Sequence, residues 1–239
     1  MSEKAPATIE QAAEVLLGFL KAGGLTKTIA ALEYALDGKD GDASRSVVSD
    51  AGITLDLLAA TMAVRAELGR MSDLIHAAGI VLALPHLLEP GERVKGRPSL
   101  AAGNDPSRPF DLETSRRIAE FKLSVWLSGS NAMRKRQTFK DLVGLALDTS
   151  GRRAELYVLG PKPATFLRGS RSPASWALDR SADSLKRRFV DRFGSVDIPV
   201  STFTSTHAQE IAIIDLAMKL PTVFGSIAST PIPSAEEVE

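Results

Sequence analysis

The spacing of apolar residues in the first third of the chain predicts helices. The sequence TIEQ at 8–11 has the form of a capping box, and the residues after it predict an amphipathic helix to about Lys21. A second helix is predicted to reach Leu36, and the polar, glycine-rich stretch at 37–46 is predicted to be a loop. From Thr54, apolar residues recur at helical spacing over several turns, so this segment predicts a long helix.

Beyond residue 90 the pattern changes to a mixture of strands and helices. The stretch RPFDLETSRRIAEFKLSVW at 108–126 predicts two short strands joined by a tight turn. An irregular strand is expected before it, at about 93–100, and a helix at 131–147 and a strand at 152–160 are expected after it. The remainder predicts a helix at 181–194, a short strand near 197–200, a helix at 206–220 and a loose tail from Pro221.

The predicted hairpin at 108–126 has an unusual distribution of charge. With the turn at Ser115 and Arg116, the pairing count places Asp111 directly opposite Glu120. Because side chains alternate across a strand, one face is predicted to be charged and the other to be core. The charged face carries Asp111, Glu113, Glu120 and Lys122, and the core face carries Phe110, Leu112, Ala119, Phe121, Leu123 and Val125.

Two opposed carboxylates repel each other unless a positive charge lies between them. Magnesium commonly binds one or two carboxylates together with water and phosphate oxygens. An ammonium group nearby, such as that of Lys122, can orient or deprotonate an attacking water. Asp111 and Glu120 are therefore candidate metal ligands, and Lys122 is a candidate catalytic residue.

An Asp on one strand of a hairpin and Glu-x-Lys on the next, followed by a helix and a strand, resemble the PD-(D/E)-x-K nuclease superfamily. The resemblance covers about 54–160 and implies a restriction-endonuclease-like core, a mixed sheet flanked by helices. It also implies that Asp111 and Glu120 hold the metal and that Lys122 assists the nucleophile or stabilises the transition state. One departure is that Pro109 stands two positions before the Asp instead of immediately before it.

The same resemblance implies roles on the two flanking helices. Glu67, on the long helix from Thr54, would add to the metal site. Gln137 and its basic neighbours, Arg134 and Arg136 among them, would contact the substrate from the helix at 131–147. The cofactor implied is Mg²⁺, with Mn²⁺ as an alternative.

The bare triplet is not specific, because acid-x-Lys triplets arise about once by chance in a chain of this composition. A second one, Asp37-Gly38-Lys39, falls in the predicted loop. The alternative interpretation of the hairpin is a half-exposed sheet with cross-strand charges, in which Lys122 or Arg117 satisfies Glu120. Asp is an unfavourable strand residue, and its position opposite another acid favours the site.

The zero net charge of the chain conceals a strongly basic middle. Residues 93–192 contain 21 Lys and Arg against 10 Asp and Glu, a net of +11, and the remainder contains 8 against 19, a net of −11. The basic run Arg134 to Arg136 falls at a helix N-terminus, where the dipole favours anions. Either a face that binds a nucleic-acid backbone or a solvated surface explains this pattern.

Several other classes of protein lack their sequence signals here. Without cysteines there is no disulfide framework or thiol chemistry, and His76, His86 and His207 lack ligand spacing. No secretory signal or membrane-length apolar run is present, so a soluble, cytoplasmic protein is expected.

The overall expectation is an α/β protein whose restriction-endonuclease-like core carries extra N- and C-terminal helices. One domain is predicted over 1–220, with N-terminal helices at about 8–50, the core at about 54–160 and a helical extension at about 180–220; 221–239 form the tail. The expected function is a magnesium-dependent nuclease that hydrolyses phosphodiester bonds in nucleic acid, with DNA as the expected substrate and no membrane as a partner. The alternative is a non-catalytic nucleic-acid-binding or assembly module with the same fold, and a homodimer is left open.

Overall fold

Helices form the N-terminal part of the computed structural model, which describes residues 8–22, 25–100, 108–126 and 131–226. The chain divides into two units with the boundary between Ser72 and Asp73, inside the fourth helix. The sequence placed both parts in one domain over 1–220. Every residue of the sheet belongs to the second unit.

The first unit contains three helices and the start of a fourth. Helices α1 (Ile9–Ala22) and α2 (Leu25–Leu36) confirm the prediction for this part of the chain. The predicted loop at 37–46 is wrong over its second half, since α3 spans Gly41–Asp50. The Asp40 carboxylate accepts a hydrogen bond from the Ala43 N–H at 2.9 Å, so this polar stretch contains the cap that begins a helix.

Helix α4 (Leu55–Leu87) begins where the apolar spacing predicted a long helix, and it continues past the predicted segment, which ended at residue 79. The Thr54 hydroxyl caps it by accepting from the Leu57 N–H at 3.0 Å. Within the described residues, no single helix is long and apolar enough to cross a membrane, although α3 and α4 taken as a bent pair meet the length and composition limits.

The sheet has four strands in the order β1-β2-β3-β4, namely Leu112–Glu113, Arg117–Lys122, Arg153–Val158 and Ala212–Asp215. β1 and β2 are antiparallel, with Leu112 opposite Ala119, which is the predicted register. The other neighbouring strands are parallel. The irregular strand expected at 93–100 pairs with β1 through a bridge between Val94 and Thr114 and a hydrogen bond from the Ser99 N–H to the Asp111 carbonyl.

Helix α5 (Ala132–Ala146) connects β2 to the parallel strand β3, as the sequence predicted. Four helices lie between β3 and β4: α6 (Lys162–Gly169), α7 (Ala174–Leu178), α8 (Asp183–Phe193) and α9 (Val200–Thr206). Only α8 was predicted.

Three predictions for the C-terminal part are wrong. A helix, α9, begins at Val200, and the predicted strand at 197–200 is reduced to a single bridge from Pro199 to Pro173. The predicted helix at 206–220 contains β4, whose residues pair with β3 before α10 (Leu216–Lys219) begins. The tail from Pro221 begins with a π-helix, Pro221–Gly225, that is fixed by the buried ring of Phe224. Residues 227–239 lie outside the described residues.

Both faces of the sheet are covered by apolar side chains. Ile118 of β2 packs with Phe139 and Leu142 of α5 on one face, whereas Phe121 packs with Ile80 of α4 on the other. Glu120 shares the Ile118 face because side chains alternate along β2. Glu120 and Lys122 share one face of β2, as predicted, but that face is not only charged, because Ile118 on it packs against α5.

Phe110 also differs from its predicted position. It packs in the cluster of Ile118 and Phe139, not in the cluster of Leu112. β1 begins only at Leu112, so the alternation of side chains does not extend back to residue 110.

Candidate active site

A group of charged side chains lies where the β1–β2 hairpin meets α4 and α5. Asp111 immediately precedes β1, and Glu120 and Lys122 lie near the end of β2. His76 of α4 and Asp141 of α5 contact them. All five belong to the second unit of the chain.

A backbone N–H and a histidine ring hold the Asp111 carboxylate. Its Oδ2 accepts from the Phe121 N–H at 2.8 Å, and its Oδ1 lies 3.3 Å from His76 Nε2. The same nitrogen lies 3.2 Å from the Ser99 carbonyl oxygen. Because both of its neighbours are acceptors, His76 Nε2 must carry a proton.

These contacts favour the ionised form of Asp111. Burial raises the pKa of Asp111, but the hydrogen bond from His76, the charge of Lys122 and the N–H of Phe121 outweigh burial and lower that pKa below its ordinary value of 3.8. Asp111 is therefore a carboxylate fixed in position before any ligand binds.

Glu120 lies in the opposite electrostatic situation. Glu120 is only 9% exposed to solvent. Burial, followed by the negative charges of Asp141 and Asp111, raises the pKa of Glu120 well above 4.5. Its hydrogen bond with the Asp111 carboxylate also raises that pKa, so the two side chains are close, as the hairpin register predicted. Only the charge of Lys122 acts in the other direction and favours ionised Glu120.

Lys122 is the one ammonium group among these five side chains. Its Nζ lies 2.6 Å from Asp141 Oδ2 and 3.7 Å from Glu120 Oε2. Burial lowers the pKa of Lys122, but the carboxylates of Asp141, Glu120 and Asp111 outweigh burial and raise that pKa above 10.5. Lys122 is therefore a cation at neutral pH.

The five side chains together favour an added positive charge. Three carboxylates, on Asp111, Glu120 and Asp141, face one ammonium group. Asp111 and Glu120 supply oxygen donors, which suit Mg²⁺ with water completing its coordination. Among the described residues, no group of three or more His, Asp or Glu side chains is arranged to hold a metal ion by itself. The donors thus fit a hydrated Mg²⁺ better than a closed protein cage.

The alternative interpretation of the hairpin was that Lys122 or Arg117 satisfies the charge of Glu120. The position of Arg117 excludes that role for Arg117. Arg117 lies on the opposite face of β2 from Glu120, where its Nη2 lies 2.6 Å from Glu92 Oε2 and its Nη1 lies 2.9 Å from Glu155 Oε2. Arg117 therefore does not neutralise Glu120. Lys122 Nζ lies 3.7 Å from Glu120 Oε2, within ion-pair distance but beyond a hydrogen bond, and it lies closer to Asp141 Oδ2, at 2.6 Å.

Helix α5 presents its predicted substrate-binding residues on different faces. Arg134 and Gln137 are exposed and, at three- and four-residue spacing, line up with Asp141. The Arg136 side chain instead donates to the Trp176 carbonyl at 3.1 Å, with its guanidinium over the Trp176 ring at 5.0 Å. The structure thus aligns Arg134 and Gln137 with the site and fixes Arg136 elsewhere.

Glu67 is exposed on the part of α4 that belongs to the first unit, so its role as a third metal ligand stays a prediction. His76 and Asp141 were not predicted from the sequence as site residues. His76 was dismissed for lack of ligand spacing, yet it lies on the α4 turn before buried Ile80. Asp141 had a visible signal, since it is an acid in the middle of a basic and apolar helix.

A separate groove of about 240 Å³ lies beside α6 and α9, and Arg168, Ser201, Thr204, Ser205 and Gln209 contribute to its lining. Asp111, Glu120 and Lys122 do not line this groove.

Comparison with known proteins supplies no relative for this chain: no family model, curated protein or solved structure matches it.

Proposed function

We propose that the protein is a magnesium-dependent nuclease that hydrolyses phosphodiester bonds in nucleic acid, with DNA as the proposed substrate. The observation that carries this proposal is the convergence of the Asp111 and Glu120 carboxylates with the Lys122 ammonium at the hairpin. Such a group can bind a cation and present a fixed positive charge beside it.

The order of elements supports a restriction-endonuclease-like core. Helix α4 is followed by the irregular strand, β1 and β2, and then by α5 and the parallel strand β3. This is the order that the resemblance to PD-(D/E)-x-K nucleases implied. The charged side chains lie on the hairpin and its two flanking helices, where that resemblance places a catalytic site.

Asp111 and Glu120 are the residues that would hold Mg²⁺, or Mn²⁺ in its place. When bound, the ion would supply Lewis-acid stabilisation of phosphate charge and lower the pKa of water. Asp111 is oriented for this role by the Phe121 N–H and by His76. Burial and the charges of Asp141 and Asp111 oppose ionisation of Glu120, so a cation bound beside it would favour its ionised form.

Lys122 acts as a cation in this proposal and not as a base. Its pKa is raised by three carboxylates, so it keeps its proton at neutral pH. A protonated ammonium can stabilise the negative charge that develops on the phosphoryl oxygens in the transition state. It cannot accept a proton from water.

Helix α5 supplies candidate contacts to the substrate backbone. Arg134 and Gln137 continue the line of Asp141 along the exposed side of the helix. Arginine and amide side chains commonly contact phosphates and sugars, which position nucleic acid without reading its sequence.

A non-catalytic nucleic-acid-binding or assembly module is the second candidate function. The observation in its favour is the closeness of the Lys122–Asp141 pair at 2.6 Å, because an ammonium engaged by a carboxylate has less charge to offer a phosphate. Such a protein would keep the fold and bind nucleic acid without cleaving it.

Cleavage of linear and circular DNA with and without Mg²⁺ separates the two functions. We expect wild type to cleave only with Mg²⁺, and Lys122→Met to lose at least about 100-fold in rate, because it removes transition-state charge stabilisation. Lys162→Met, which removes an exposed lysine at the start of α6, is the matched control and should cleave like wild type. Salt-sensitive DNA binding with no cleavage under any of these conditions would favour the non-catalytic module.

A further inference from the structure

Lys122 lies between two carboxylates and is closer to one of them. Its Nζ is 2.6 Å from Asp141 Oδ2, a full hydrogen-bonding contact, and 3.7 Å from Glu120 Oε2, which is outside hydrogen-bonding range. Glu120 and Lys122 are two apart on β2 and so lie on the same face. The Lys122 ammonium therefore hydrogen-bonds to Asp141 on α5 and not to Glu120, its neighbour on the same face of β2.

Asp141 is held in place by the helix that carries it. Its neighbours on α5, Leu142 and Val143, are fully buried in the core against the sheet. The Asp141 side chain itself is 16% exposed and the Lys122 side chain 23%, so their contact is largely shielded from water. A carboxylate on such a rigid element can fix the position of a flexible lysine.

A lysine ammonium competes with a divalent ion for the same carboxylate. If Asp141 did not hold it, Lys122 could close the 3.7 Å distance to Glu120 Oε2 and form a direct hydrogen bond with that carboxylate. That contact would neutralise part of the charge that attracts the divalent ion.

We propose that Asp141 is a positioning residue that holds the Lys122 ammonium off Glu120 and so leaves the Glu120 carboxylate available to a divalent cation. This inference rests on the proposed function, because it assigns Glu120 to the metal. Asp141 acts through Lys122 and does not itself contact the ion.

If Asp141 acts through Lys122, removing Asp141 should weaken metal binding only when Lys122 is present. A merely structural Asp141, or one that attracts the ion only through its charge, would have the same effect whether Lys122 is present or not. A double-mutant cycle measures this difference directly.

The experiment is a calorimetric titration of Mg²⁺ into four proteins without substrate: wild type, Asp141→Asn, Lys122→Met and the double variant. We expect Asp141→Asn to weaken Mg²⁺ binding about tenfold when Lys122 is present and less than about threefold in the Lys122→Met background. Equal weakening in both backgrounds would overturn the inference. Asp179→Asn removes a carboxylate that lies 3.9 Å from Arg136, and as the control it should bind Mg²⁺ like wild type.

A second measurement needs no variant, in case Asp141→Asn does not fold. In a crystal structure of wild type with Mg²⁺ bound, Lys122 Nζ should stay within about 3 Å of Asp141, the distance of a charge-assisted hydrogen bond. An ammonium that leaves Asp141 when the ion binds would overturn the inference.

The binding titration also separates this inference from the proposed function. If Mg²⁺ binds and the cycle shows the expected coupling but no nucleic acid is cleaved, the inference stands and the nuclease proposal is wrong. If nucleic acid is cleaved but the coupling between Asp141 and Lys122 is absent, the nuclease proposal stands and the inference about Asp141 is wrong. If Mg²⁺ does not bind wild type, both are wrong.

Discussion

Asp111 and Glu120 are opposed acids with opposite electrostatic properties. Asp111 accepts from the Phe121 N–H and contacts His76, so its ionised form is stabilised and its pKa is lowered. Glu120 is buried beside the charges of Asp141 and Asp111, so its ionised form is destabilised and its pKa is raised. The two carboxylates were equivalent in the sequence, and local hydrogen bonding distinguishes them.

This difference predicts how stability without metal depends on pH. Because the folded-state pKa of Glu120 is raised, its stabilising contribution is complete below its ordinary value of 4.5 and is lost as the pH rises through the folded-state value. Glu120→Gln should therefore raise the free energy of unfolding at neutral pH by up to about 1 kcal/mol, the size of a cross-strand charge pair. Below the ordinary pKa, the two proteins should be equally stable.

Urea unfolding without metal at several pH values measures this effect. Asp111→Asn is the matched control and should lose stability at neutral pH, since it removes a carboxylate that the fold stabilises. A Glu120→Gln protein that is less stable than wild type at neutral pH would show that ionised Glu120 is satisfied by the fold itself.

At the scale of elements, a second charged cluster joins the segment after α4 to the sheet. Arg117 of β2 contacts Glu92 at 2.6 Å and Glu155 of β3 at 2.9 Å, and the Thr114 hydroxyl donates to Glu92 at 2.5 Å. The Tyr157 hydroxyl donates to Glu155. Every buried charge here has a partner, so this cluster fixes the start of the hairpin against β3.

This cluster predicts loss of stability in acid. The Arg117 guanidinium lowers the pKa of Glu92 from 4.5 to about 2, and the Glu92 side chain is fully buried. A lowered pKa contributes stability that is present above the ordinary value and lost as the pH falls through the folded-state value. Glu92→Gln should therefore cost about 3 kcal/mol at neutral pH, and this difference should disappear as the pH approaches 2.

Chemical denaturation of wild type and Glu92→Gln across this acid range measures the difference. Glu89→Gln is the control, because the Glu89 side chain is 41% exposed and its ion pairs with Arg116 and Arg153 are screened by water. Equal losses in the two variants would mean that Glu92 is not specifically stabilised by Arg117.

The elements that the sequence predicted correctly are those with a strong local pattern. The register of the hairpin followed from its turn, and α1, α2, α4, α5 and β3 followed from apolar spacing. β4 was missed because its residues, AIID, continue a helical pattern and become a strand only by pairing with β3. Pairing with β3 determines that this segment is a strand, and the local sequence pattern does not encode that pairing.

The candidate site was predictable only in part for the same reason. Asp111, Glu120 and Lys122 are close in sequence and belong to one hairpin. The alternation of side chains along its strands was therefore enough to predict that the three lie on one face. His76 and Asp141 reach the site from separate helices. The long-range packing of α4 and α5 on the sheet brings them there, and a single sequence does not specify that packing.

At the scale of the whole molecule, positive charge is concentrated in the part of the chain that forms the site. The net of +11 over residues 93–192, from 21 basic and 10 acidic residues, includes the hairpin, α5 and β3. Several of these basic residues form internal ion pairs, as Arg117 and Arg152 do. The charge available to a nucleic acid is therefore smaller than the sequence count, and individual residues must be tested.

Arg134 and Arg136 allow a matched test, since they lie two positions apart on α5 and carry the same charge. Each phosphate that a basic residue neutralises on duplex DNA contributes about −0.9 to the slope of log affinity against log salt concentration. Arg134 is exposed in line with Asp141, whereas Arg136 lies against Trp176 and contacts Asp179. Arg134→Ala should therefore make the slope less steep by about 0.9. Arg136→Ala should lower thermal stability and leave the slope unchanged.

Fluorescence anisotropy with labelled duplex DNA over a salt series measures both slopes, with Ca²⁺ in place of Mg²⁺ to prevent cleavage. An unchanged slope for Arg134→Ala would remove this face of α5 from the proposed nucleic-acid interface.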